Sequence, residues 1–392
     1  MQAPFINPKW HSLLMEFTLT YKEGNLPKGR MMEKLVDYGL SQELFEEWRK
    51  PREGTKNPTK ANNPVWNWLI KTKLNAWAAN RASEHNYYSE GATWSFDRFG
   101  QSITELPDGR KIYIGGEHED WYDPDFYIYN DVVVENIDGS LDIYTYPKNE
   151  FPATDSHSAT LVNDEIIIIG CLGYMHERSA NETPVFALDT RNFSIRKIET
   201  TGSNPGWIFK HNSTLLEDGK TLLICQGEIY RDPGSSLTEN IHEWNLDLSS
   251  RTWSLFKENN WSRWQYIRVD KKRNFLWEIC QLIWNKNAGW KEEYEQSLKK
   301  LKNDLGYSPD LQIFKSLYEP PLDFKSLPEQ EDDYKQHRIL IDNVVVRYKE
   351  ESREVQVTVE GYLPPDTIAI LKQDLLEKLS SLVKTQWKML DI

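Results

Sequence analysis

Apolar and polar positions follow two different periods along the chain. Over the first ninety residues the spacing is helical. Arg30–Trp48 sets Met32, Leu35, Leu40, Leu44, Phe45 and Trp48 near one face, with Gly39 dividing the stretch. Pro64–Ala82 opens on a proline suited to a first helical turn and aligns Val65, Trp66, Leu69, Leu74 and Trp77. The segment between them, KPREGTKNPTKANNP, is rich in Pro, Gly, Asn and Lys and reads as a loop.

From Thr93 the period becomes that of strands, and it repeats. SITELPDGRKIYIGG (102–116) matches SATLVNDEIIIIGC (158–171), which matches NSTLLEDGKTLLIC (212–225), with a shared threonine at 104, 160 and 214. Each copy gives a strand, a polar turn, a continuous apolar strand and a small residue. A loop follows, then a third strand (DFYIYNDVVV, TPVFALD, NIHEWNLD). A turn marked by Asp138, Asp189 or Asp247 leads to a fourth (LDIYTY, FSIRKI, TWSLF). Four strands in about 55 residues is the period of a propeller blade, whose faces are buried only by stacking on neighbouring blades. A strand covered on both sides reads as an unbroken apolar run, as Ile166–Ile169 does. The plainer alternative is a β-sandwich with coincidental spacing, which three aligned copies disfavour.

These copies resemble the kelch family of β-propellers over residues 94–257. His157-Ser158-Ala159-Thr160 and His211 fit the start of a kelch blade, and Gly115-Gly116 fits its diglycine. The diglycine decays to Gly170-Cys171 and then to Cys225-Gln226-Gly227; Trp253 fits the late tryptophan, with Phe193 in its place in the second copy. The resemblance implies a fold and carries almost nothing about activity. Kelch-like enzymes include copper oxidases and sugar isomerases, but the oxidase's set of two Tyr, two His and one Cys does not emerge in any convincing order.

Arg263–Trp284 reads as strand, turn, strand, and is expected to begin a fourth blade, with Cys280 following Cys171 and Cys225 at the repeat period. A helical insertion follows over about 288–335. Arg338–Tyr348 and Arg353–Tyr362 form a hairpin that either completes the fourth blade or makes a small separate sheet. A final helix from about Asp366 aligns Ile368, Leu371, Leu375, Leu379, Leu382 and Trp387. The expected fold is therefore mainly β: a small kelch-like propeller of about four blades (93–362) with an N-terminal helical region (1–92), an inserted helical segment and a C-terminal amphipathic helix (363–392).

Composition narrows the function. A net charge of −13 over 392 residues argues against nucleic acid, which needs Lys and Arg to displace phosphate counterions, and favours a basic partner. No apolar run approaches the ~20 residues of a membrane span. MQAPFINPKWHSLLMEF shows no signal-peptide pattern, and three cysteines make no disulfide framework, so a cytoplasmic protein is expected. The sixteen tryptophans supply core and candidate interface anchors.

The loops after each copy's second strand fall at equivalent places and so emerge on one rim. They gather Glu117, His118, Glu119, Asp120, Trp121, Tyr122 and Asp123 from the first copy. The second adds Tyr174, Met175, His176 and Arg178, and the third Tyr230 and Arg231. Aromatics and Arg on loops held by a rigid frame are what a protein interface uses. Consecutive acidic residues point to alternate faces and seldom converge on one ion, and no His-x-x-x-His or Cys-x-x-Cys pair occurs, so neither metal nor cofactor is expected. The repeated cysteines read as small apolar residues where strands crowd, and His157 and His211 as structural groups of the first strand. The expected function is non-catalytic protein binding, in one concrete form an immunity or antitoxin-type protein that caps a basic toxin domain. The alternatives are a carbohydrate-binding or sugar-isomerising propeller and a scaffold whose helices hold the partner.

Overall fold

The computed structural model describes residues 35–85, 91–120, 123–231, 237–328 and 336–392. They fall into two compact units, 35–259 and 260–392. The chain is mainly β, with several antiparallel sheets and shorter helices.

Three four-stranded meanders follow one another in the first unit. The first runs Ser102–Glu105, Lys111–Ile114, Val132–Glu135, Leu141–Thr145, with Thr59–Ala61 added beyond the last strand. The second runs Ser158–Val162, Glu165–Ile169, Val185–Asp189, Ile195–Lys197. The third runs Asn212–Leu215, Thr221–Cys225, Glu243–Asp247, Thr252–Lys257, with Thr201–Gly202 paired in parallel at its outer edge. The repeated aspartates build the last turn in each: Asp138 Oδ1 accepts the amide of Ser140, Asp189 Oδ1 that of Arg191, and Asp247 Oδ1 that of Ser249.

The sheets stack face to face. Ile112, Ile114, Val132 and Val134 of the first meet Ile166, Ile168, Phe186 and Leu188 of the second. Ile167, Ile169, Val185 and Ala187, on the other face of the second sheet, meet Leu222, Ile224, Leu246 and Trp253 of the third. All four isoleucines are therefore buried, each contributing roughly 1.5–3 kcal/mol. The outer face of the first sheet (Val133, Ile143) packs with Trp94 and Tyr129 against the helices Gln42–Trp48, Pro64–Thr72 and Ala76–Ala82 through Phe45, Val65, Trp66, Trp68, Leu69 and Ala79. Asn63 and Asn75 cap the last two helices by accepting backbone amides, and Gly39 holds a positive φ before the first. The helices thus pack with the first sheet within one unit.

Two devices join consecutive sheets. His157 Nε2 meets Ser102 Oγ at 2.8 Å, and His211 Nε2 meets Ser158 Oγ at 2.8 Å, so each imidazole ties its sheet to the one before. Gly116 N donates to Thr154 O at 2.8 Å and Cys171 N to Ile208 O at 3.0 Å. At the residue before each donor, Gly115 and Gly170, φ is positive, and a Cβ would lie well inside 3.0 Å of those same carbonyls. In the third copy the corresponding residue is Gln226, at φ 61 with its Cβ accommodated. The position of Ser102 and Ser158 holds Asn212, and Asn212 Nδ2 donates to Gln226 Oε1 at 2.6 Å. The two residues that break the pattern bond to each other.

The registers correct three expectations. Ser102 pairs with Ile114, Ser158 with Ile169 and Asn212 with Cys225, so Cys225 ends a strand as the isoleucines do, while Cys171 matches Gly116 and Gly227. Cys280 lies exposed in a helix, so the three cysteines are not equivalent. The expected strand 125–134 is two: Asp123–Ile128 belongs to a hairpin with Glu117–Asp120, and only Val132–Glu135 enters the sheet.

The second unit is a six-stranded antiparallel sheet in the order Lys325–Ser326, Gln336–Ile341, Val344–Glu350, Glu354–Glu360, Ser262–Arg268, Trp387–Asp391. Helices Leu276–Asn287, Lys291–Leu305, Leu311–Lys315 and Pro365–Leu382 accompany it. The strand–turn–strand reading of Arg263–Trp284 is half right. Leu276, Ile279 and Leu282, three residues apart, are buried along a helix, and Trp264, Tyr266, Val355, Val357 and Val359 complete their core. The late hairpin forms a separate sheet, not a fourth copy of the meander. The C-terminal helix ends at Leu382, and Trp387 opens an edge strand against Ser262–Arg268.

Candidate functional site

The expected rim is built on the first unit. After Lys111–Ile114, Gly115 and Gly116 turn the chain into the hairpin, where Glu117 pairs with Ile128, His118 with Tyr127 and Asp120 with Asp123. Trp121 and Tyr122 lie outside the described residues, as do the side chains of Glu119, Asp120 and Asp123. Glu117 is half-buried.

His118 is 4% exposed and faces inward, which corrects its expected role as a contact. Its Nδ1 lies 2.6 Å from Tyr129 Oη. That oxygen already accepts the Ser95 amide at 2.9 Å, so the phenol hydrogen points to Nδ1 and the neutral ring carries its own hydrogen on Nε2. Nε2 has no partner. Burial, helped by Arg98, pushes His118 down to about 4, and burial drives the Tyr129 phenol upward. Beneath them the Arg98 guanidinium lies 3.4 Å from the Tyr129 ring centroid and 4.8 Å from that of Trp94. It pairs with Asp131 at 2.5 Å, and Trp94 Nε1 donates to the same carboxylate at 2.7 Å. Both members of this ion pair are buried, and several hydrogen bonds meet each of them, as a buried pair requires. The cluster is a rigid base.

The second loop begins at Gly170-Cys171. Asp155 accepts the Gly173 amide at 2.8 Å, and burial raises its carboxyl above the usual range. A short turn, Met175–Glu177, follows. Tyr174 Oη accepts the Ile128 amide at 3.0 Å, Phe126 meets the Tyr174 ring edge-on at 6.1 Å, and His176 stacks on Tyr174 at 5.8 Å. Arg178 braces the loop by donating to Leu172 O and Gly173 O. Its guanidinium also lies 5.5 Å from the ring of Tyr230.

The third loop contributes less than expected. Tyr230 is 6% exposed and packs with Cys171 and Trp207, so it supports the rim from within. Arg231 is exposed. Among the described residues of the three loops, Phe126 (43% exposed), Met175 (70% exposed), His176, Glu177 and Arg231 are exposed. Phe126 was missed because one strand was read across 125–134; the polar pair Asn130-Asp131 was the available sign of a break. Among the described residues no group of three His, Cys, Asp or Glu is placed to hold a metal ion, and no helix is long and apolar enough to cross a membrane.

No family model matches the chain, and no curated protein does. One solved structure, titled "Structure of YjhT", aligns with a TM-score of 0.30 and 11% identity over 42% of this chain and 52% of that one, so the chain spans about half its length. An endo-arabinase from Bacteroides thetaiotaomicron VPI-5482 aligns with a TM-score of 0.24 and 8% identity, covering 70% of this chain and 82% of that one. Neither likeness is close enough to bear on fold or function.

Proposed function

We propose that the three stacked sheets are kelch-type propeller blades serving as a frame, and that the chain is a non-catalytic protein-binding module acting through the rim. One observation carries the reading. Two loops from different sheets lock together through Tyr174, the Ile128 amide and Phe126, leaving Phe126, Met175 and His176 as one exposed apolar and aromatic patch on a rigid base. Such anchors supply most of the energy of an interface, and the surrounding charge sets the rate and the choice of partner. With a net charge of −13 the suited partner is basic, and a toxin domain neutralised by an immunity-type protein is the concrete form.

The test has two stages. The intact chain is used to retain basic proteins from its source cells, and the retained protein is purified and titrated against the wild type and against Phe126→Ser/Met175→Ser. Affinity should fall at least about tenfold in the variant and weaken with added salt. Equal affinity of the two forms, or the absence of any specifically retained basic protein, overturns the proposal.

A further inference from the structure

The helices cover only part of the outer face of the first sheet. Beside them lies a cleft of about 640 Å³, within the ~300–1,000 Å³ range of small-ligand sites. Its floor comes from one face of four strands: Ile103 pairs directly with Tyr113, and Glu135 with Leu141. Ile103 is 63% exposed, a large apolar side chain left open on the edge strand of the sheet. Phe96 stands edge-on to Tyr113 at 5.0 Å, and Tyr113 donates to Glu135 at 2.9 Å, so the aromatic part is fixed. Arg98, anchored to Asp131, holds the wall from which Asp97 and Gln101 project. The end of helix Pro64–Thr72 contributes another part of the lining, with Ile70, Lys71 and Lys73.

The charges on these two parts of the lining are unspent. Among the described residues neither lysine meets a carboxylate, and the Asp97 carboxylate meets no cation. Lys71 also offsets the carbonyl end of its helix. Lys73 lies just past that end at φ 53, a position that favours glycine, so its side chain is kept at a cost to the backbone.

We propose that this cleft binds a short peptide with free ends and an apolar or aromatic side chain. Its carboxylate pairs with Lys71 and Lys73, its ammonium with Asp97, and its side chain rests on Ile103, Tyr113, Leu141 and Phe96. The residues that would contact the peptide are distinct from the exposed residues of the rim, so the inference stands or falls independently of the protein-binding reading.

Calorimetric titration of the intact chain with leucyl-phenylalanine, its N-acetyl form and its C-terminal amide tests this. The free dipeptide should bind, and each blocked form should bind at least about tenfold more weakly, because each removes one charge-assisted contact. Lys73→Gly suits its backbone angle and preserves the fold; in combination with Lys71→Ala it should abolish discrimination against the amide alone. Asp97→Asn should abolish discrimination against the acetyl form alone. If none of the three dipeptides binds, if all bind equally, or if the variants discriminate as the wild type does, the proposal is wrong.

Discussion

Replacing Gly170 by glutamine puts in the second copy what the third carries naturally at Gln226. The backbone at 170 has φ 65, and a side chain there costs about 1–2 kcal/mol relative to glycine. The new Cβ would collide with Ile208 O and lie 2.9 Å from His211 Cε1. Relief requires the Ile208 carbonyl to move, which breaks its bond from the buried Cys171 amide and leaves that donor unpaired at about 1–3 kcal/mol. The displaced His211 also strains its bond to Ser158, worth roughly 1 kcal/mol. Together the loss is roughly 3–6 kcal/mol, a large part of the 5–15 kcal/mol of a typical domain. The reciprocal change, Gln226→Gly, relieves the backbone by about 1–2 kcal/mol. It forfeits the Asn212 bond (~1 kcal/mol) and adds freedom to the unfolded chain (~0.4–1 kcal/mol), so it should be close to neutral. Urea unfolding followed by tryptophan fluorescence, with the two units resolved as separate transitions, measures both. A cost below about 1 kcal/mol for Gly170→Gln, or equal costs at the two sites, would refute the account of why one copy tolerates a side chain and the other does not.

Three further outcomes follow from the buried polar groups. His118 and His157 are held down to about 4 and His211 to about 3, chiefly by burial, whereas unfolded imidazoles titrate near 6.5. Between those values the unfolded chain binds more protons, so stability is full above pH 6.5 and falls as pH drops toward 4, by up to about 1.4 kcal/mol per pH unit for each ring. A melting temperature of the first unit that is flat from pH 7 to 4.5 would contradict this. Asp131→Ala leaves the Arg98 guanidinium buried without its counter-charge and should cost about 3–5 kcal/mol in urea unfolding. Tyr174→Phe keeps the ring against Phe126 but removes the acceptor of the Ile128 amide; hydrogen exchange at that amide should accelerate several-fold while the global urea midpoint moves little.

Much of the first unit was legible in the sequence because each of its cues is local. The turn aspartates act within one turn, and the isoleucine run, although it reflects cover by both neighbouring sheets, shows within a single strand. Cysteine at a matching interval does not mark a matching place: the left-handed backbone at Gly115, Gly170 and Gln226 is the true marker, and it shows only in dihedral angles. The helix Leu276–Asn287 reads as a strand in sequence because a short apolar run serves either, although Leu276, Ile279 and Leu282 carry the helical spacing. The sequence shows where the loops after each second strand fall, but not which way their side chains turn. Nothing along the chain says that His118 and Tyr230 turn inward while Phe126 turns out, since that depends on which sheet each loop folds back upon.

The Asn212–Gln226 bond also bears on how such a chain can grow. A duplicated copy placed between the second and third would find a serine before it for its own histidine, and would offer a serine and a glycine to the third. A copy appended after the third would meet an asparagine already occupied by Gln226, and a side chain where a neighbour's carbonyl must approach. Extension is open at one seam and closed at the other, and two substitutions, Asn212→Ser and Gln226→Gly, are the least that would open it.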